Sequence, residues 1–180
     1  MQEQSDTTIH MVDHKRFEFY HTWYHSVIRE IVTSVDFSED YQFLGRLVKP
    51  EISAKQARHS VALLLDLGLI AKRKNRYYLT HNSLIANSTA DTVALRKNQT
   101  EVMEMGIAAL EKFPKSDRNI FTQNIGVSHE NAERINTILT NMQKQIIAIA
   151  NMEQPVETVK QLNIQYFPMS KNLTSKRGLQ

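Results

Sequence analysis

Three features of the chain predict an α+β fold. From Lys15 to Ser34 the residues Phe17, Tyr20, Tyr24, Val27, Ile28 and Ile31 recur on one broad stripe at helical period. From Ile52 to Thr80 a helical pattern passes at once into a basic two-stranded ribbon. Beyond residue 90 two long helical patterns alternate with two short stretches of period two. The combination predicts a winged helix-turn-helix over residues 15–80, followed by an α-β-α-β C-terminal unit over residues 91–169. A flexible arm (1–14), a linker (81–90) and a basic tail (170–180) complete the expected organisation. The chain of 180 residues, 41% hydrophobic with five Gly and four Pro, has the composition of a helix-rich globular protein.

The arm is polar and without periodicity. The first helix should run unbroken from Lys15 to Ser34. Ser38 is then placed to cap a second helix from Glu39 to about Val48, with Leu44 and Leu47 turned inward and Pro50 ending it. Lys49 to Ile52 reads as the turn of the helix-turn-helix, with Ile52 stapling onto the start of the next helix. Ser53 and Gln56 have the spacing of a capping box, so a helix should start at Ser53 and run to Leu67. Ala54, Ala57, Val61, Leu64, Leu65 and Gly68 fall within one arc that must pack on a core, with Lys55, His59 and Asp66 opposite. Gly68 next to Leu69 is a helix stop, because glycine enters the left-handed region at little cost. Alternation through Leu69–Arg73 and Arg76–Thr80 gives two strands joined by a Lys74-Asn75 turn.

His81 to Ala90 is rich in Ser, Thr and Asn, as linkers are. Asp91 to Phe113 continues the chain as a helix with Leu95, Val102, Met105, Ala109 and Phe113 on its apolar side, until Pro114 forces a break. Asn119 to Val127 reads as a strand. Ser128 caps another helix, along which Ala132, Ile135, Ile138, Leu139, Met142, Ile146 and Ile149 repeat at three and four. Leu162, Ile164 and Tyr166 alternate on a last strand before Pro168. Two strands alone are marginal, so they are expected to pair with each other under the helices or to extend a sheet across a dimer.

Charge is concentrated in one module. Residues 46–80 hold eight basic side chains (Arg46, Lys49, Lys55, Arg58, Lys72, Arg73, Lys74, Arg76) against Glu51 and Asp66, a balance of +6, while the whole chain is +3. Everything else therefore sums to −3, and the pI of about 9.1 belongs to one surface of the kind that faces phosphates. Lys55, Gln56, Arg58 and His59, near the start of the third helix, stand where groove-reading residues sit; Lys72, Arg73, Lys74 and Arg76 of the wing would hold phosphates. The expected partners are double-stranded DNA and a second copy of the chain in a homodimer, with the C-terminal unit dimerising or sensing a signal. The rival expectation is a winged-helix module that binds a protein, supported by Leu63 and Leu67, which lie outside the core arc.

Other classes find little support. No glycine-rich phosphate loop, nucleophile elbow or dinucleotide fingerprint is present, so neither an enzyme nor a cofactor is expected. Zero cysteines exclude disulfides and thiolate metal sites. His10 and His14, like His21 and His25, are four apart, a spacing that places imidazoles on one metal, but no Glu adjoins the first of a pair as in metalloprotease helices, and no metal is expected. Asp117-Arg118 offers a guanidinium for an acidic ligand, with a structural ion pair as the commoner use. Met103, Met105, Met142 and Met152 read as core filling rather than an effector pocket. No apolar run suits a bilayer and the N-terminus lacks a secretory pattern, so a soluble, cytoplasmic protein without membrane contact is expected.

The segments Trp23 to Ile31 (WYHSVIREI), Ile52 to Ala57 (ISAKQA), Leu64 to Ile70 (LLDLGLI), Asp117-Arg118 and Gln161 to Lys171 (QLNIQYFPMSK) resemble an uncharacterised bacterial paralogous family first named from Fibrobacter. The similarity runs from about Phe17 to Lys171. It implies a winged-helix protein with a C-terminal α/β extension and a role in transcriptional regulation, and it carries no established functional residues. Two departures stand out. Family members usually have a further helical region before the Trp-Tyr-His segment, which suggests a fragment or a short member, and they commonly place glycine in the wing turn where this chain has Lys74-Asn75.

Overall fold

The computed structural model describes residues 14–80, 89–152 and 156–173. The expected arm, most of the linker and the end of the basic tail lie outside them. Within them the order is α1 (14–21), α2 (Tyr24–Val32), α3 (Tyr41–Arg46), α4 (Ala54–Asp66), β1 (Ile70–Arg73), β2 (Arg76–Leu79), α5 (Thr89–Lys112) and α6 (His129–Ala150). The protein is thus helix-rich with one small antiparallel sheet, consistent with α+β.

The first helix is not continuous. A bond from the His25 N–H to the Thr22 carbonyl (3.3 Å) tightens the chain at Thr22-Trp23 and separates α1 from α2. Both positions keep the helical period of the stripe, so periodicity alone does not reveal the break. Its effect is to carry His25 to full burial beside Ile28, Ile31 and Val32. The second helix also starts later than Ser38. Ser38 and Glu39 have φ of 45° and 62°, the Asp36 carboxylate accepts from the Ser38 N–H, and Asp40 is the cap, accepting from Gln42 N–H (3.1 Å) and Phe43 N–H (2.9 Å). On this short helix Leu44 is buried as expected, but Leu47 is 38% exposed and Val48 takes its place in the core.

Ser53 and Gln56 form the capping box that starts α4. Its buried face is Ala57, Ser60, Val61, Leu63 and Leu64, whereas Ala54 and Leu65 are exposed. The expected arc is rotated because α4 packs on both α2 and α3, and this double packing turns Ser60 and Leu63 inward. Gly68 (φ 65°) ends the helix, with the Leu69 N–H reaching the Leu64 carbonyl (2.9 Å) in a Schellman arrangement. Gly45 answers a different need. A Cβ there would run into the Ile52 carbonyl oxygen, and the Ile52 N–H donates to the Gly45 carbonyl (3.2 Å), so the turn between α3 and α4 closes onto bare backbone.

The strands pair Ile70 with Leu79, Ala71 with Tyr78, Lys72 with Tyr77 and Arg73 with Arg76. Lys74 takes the positive φ (55°) of the turn, a position where glycine is the usual choice. Ile70, Leu69 and Tyr77 join Ile28, Phe37, Leu44, Val61 and Leu64 in one core, and Val159 is its contribution from the distal half.

That distal half departs most from expectation. α5 and α6 form as predicted, with Ser128 accepting from the Asn131 N–H (3.2 Å), but no strand forms at 119–127 or 162–166. A strand needs an edge to pair with, and within one chain these two segments supply none to each other. α6 has no buried residue. Arg16 pairs with Asp91 (3.3 Å), Ala94 is buried, and within the distal half the Asn163 amide donates to the Val102 carbonyl (2.8 Å). Among the described residues no helix is long and apolar enough to cross a membrane.

Candidate nucleic-acid interface

Capping and packing fix which side of α4 meets solvent. With Ala57, Ser60, Val61 and Leu64 committed to the core, Lys55, Arg58 and His59 are exposed. Gln56 is exposed too, but its side chain is occupied: Oε1 accepts from the Ser53 N–H (2.9 Å) and hydroxyl (2.8 Å). A base contact by Gln56 would dismantle the cap. Of the four residues expected to read bases, it is the one tied into the helix cap.

The neighbouring side chains are held as well. The Arg58 guanidinium lies over the Tyr41 ring at 4.9 Å, which fixes its stem while leaving donors outward. The His59 ring bonds the Glu18 carboxylate of α1. On the hairpin, the Lys72 ammonium donates to Glu39 and lies 5.4 Å from the Tyr77 ring, while Arg73 sits over Tyr78 at 5.9 Å. The bond between Lys72 and Glu39 raises the Lys72 pKa and lowers that of Glu39. Lys74 is at the turn and exposed, and Arg76 is exposed opposite Arg73 in the ladder. Two like charges directly across a ladder repel, so an anion between them would be welcome.

Sequence reasoning missed the carboxylates that return to this face. Glu18 and Glu39 lie outside the basic segment, and only the fold brings them onto His59 and Lys72. The acidic stretch Asp36 to Asp40 was the available signal, but it reads equally well as the first turn of a helix. Behind the face, His25 Nδ1 and Ser60 Oγ hydrogen-bond at 2.8 Å, both fully buried, which joins α2 to α4. Burial lowers the His25 pKa from 6.5 to about 4, the nearby Glu18 carboxylate opposing and His59 adding to the effect.

The other candidates resolve differently. His25 is turned to Ser60, and among the described residues no group of three His, Asp or Glu is arranged to hold a metal. Arg118 makes no pair with Asp117; it donates to the Ala109 (3.2 Å) and Leu110 carbonyls and so caps the end of α5. Leu63 is 3% exposed and Leu67 is partly buried against the core, so packing within the chain accounts for both.

These features define a helix-rich α+β protein whose exposed chemistry is a cationic helix start beside a cationic hairpin. The family model described as Domain of unknown function (DUF4423) matches residues 3–169, and the chain belongs to that family. Comparison with curated proteins and with solved structures returned no match.

Proposed function

We propose that the chain is a DNA-binding transcriptional regulator with a winged helix-turn-helix over residues 15–80. The single observation that carries this reading is the side-by-side exposure of Lys55, Arg58 and His59 on α4 and of Arg73, Lys74 and Arg76 on the hairpin, with the opposite face of each element committed to the core. α4 enters the major groove in this proposal, Lys55 and Arg58 contact base edges, and the hairpin holds phosphates. His59 and Lys72 join after releasing Glu18 and Glu39, which makes them adjustable rather than permanent contacts.

The two carboxylates favour a second reading, a winged-helix module that binds a protein. Glu18 and Glu39 break the positive face in two places, as a partner carrying both signs would suit. Fluorescence anisotropy with a random duplex over a salt series, with selection from a random oligonucleotide pool after it, separates them. Regulation by DNA reading requires salt-dependent binding and an enriched motif. Binding without an enriched motif, or no binding, favours the protein partner.

A further inference from the structure

We infer that the distal half, over residues 107–152 and 156–169, is an interface for a second copy of this chain. Many of its apolar side chains stay exposed in one chain. Phe121 is 85% exposed, Met169 77%, Ile107 68%, Phe167 64%, Ile138 63% and Ile149 61%. Single exposed apolar residues are ordinary, but so many concentrated in one part of a chain mark a surface that is covered in use.

The size of the surplus fits a subunit contact. The accessible surface is 14863 Å², against about 8,900 Å² for a compact monomer of this mass. Even if every residue outside the described set exposed the full surface of an unfolded chain, the described part would still carry about 1,900 Å² more than a compact body of its size. Permanent dimers bury on the order of 1,000–2,500 Å² per subunit.

The character of the surface selects the same chain as the occupant. Residues 119–127 (NIFTQNIGV) and 161–169 (QLNIQYFPM) contain no charged side chain. Exposed segments able to pair as strands are normally blunted by charge in soluble proteins, and these are not. An uncharged, alternating segment neither repels its own copy nor selects a partner of opposite charge. A second copy brings both segments again, so a two-fold arrangement lets 119–127 or 161–169 pair between subunits and supplies the edges that one chain lacks. On α6, Ile138, Ile146 and Ile149 add exposed apolar side chains at helical spacing. Self-association through this surface is independent of whether residues 15–80 bind DNA.

Sedimentation equilibrium of the full chain at tens of micromolar is expected to report twice the 20.8 kDa of the monomer. Phe121→Asp tests the surface itself. Its ring is largely free of the rest of its own chain, so the variant should keep its circular dichroism while self-association weakens about 30-fold or more, the effect of losing a central aromatic anchor. Ile138→Glu should act in the same direction. A monomeric mass for the unmodified protein overturns the inference. So does a dimer that both variants leave at full strength, because the contact would then lie elsewhere.

Discussion

At the scale of single residues, His25 couples folding to pH. It is fully buried, bonded to Ser60, and its pKa is lowered to about 4 in the folded chain from 6.5. As pH falls the unfolded chain takes up the proton first, so the stability tied to this residue is present above about pH 6.5 and is lost on descending towards pH 4. The shift corresponds to roughly 3 kcal/mol at the bottom of that window. Urea unfolding at pH 7 and pH 4.5 should show a drop that His25→Gln reduces; an equal drop in both proteins would assign it to carboxylates instead. Gly45 makes a steric prediction. Because the atom met by a new Cβ is the Ile52 carbonyl oxygen and not a flexible side chain, Gly45→Ala should destabilise by about 1–3 kcal/mol, read as a lower Tm. An unchanged Tm would mean that the α3–α4 turn opens without cost.

At the scale of elements, the hairpin and the long helices teach opposite lessons. β1, the Lys74-Asn75 turn and β2 were legible because every cue is local: the Gly68 stop, the alternation and the turn all lie within one short stretch of chain. The capping box at Ser53 was legible for the same reason. The break at Thr22-Trp23, the rotation of the α4 face and the return of Glu18 and Glu39 depend on packing between elements, which period and propensity do not contain. The segments 119–127 and 162–166 carry a strand pattern but pair with no edge among the described residues, and pairing, unlike pattern, is not local. Local legibility also shapes the prediction for the hairpin. Lys72 is engaged by Glu39, so replacing Arg73, Lys74 and Arg76 with Ala should flatten the plot of log K against log[salt] by up to about 0.9 per lost phosphate contact, and adding Lys72→Ala should change it less. Glu39→Gln should strengthen DNA binding at low salt by freeing Lys72. If the triple variant keeps its slope, the hairpin does not touch the phosphates.

At the scale of the whole molecule, the two proposals, DNA reading and self-association, call on separate parts of the chain. The described core around Ile28, Leu44, Leu64 and Tyr77 lies within residues 14–80 apart from Val159, and the most exposed apolar side chains lie beyond residue 106. A contact made by the distal half leaves α4 and the hairpin of each subunit free, so two subunits related by a two-fold axis would present two α4 helices to one face of a duplex. Such a pair gains affinity only when both half-sites face the same way, which recurs every 10–10.5 base pairs. Binding to a selected two-fold site should therefore weaken by at least about tenfold when five base pairs are inserted between its halves, since half a turn directs the second half-site away from its helix. Inserting ten should recover part of the loss. Phe121→Asp should remove this dependence on spacing while retaining the weaker affinity for a single half-site. Equal affinity for all three spacings in the unmodified protein would show that each α4 acts alone, whatever the state of the distal surface.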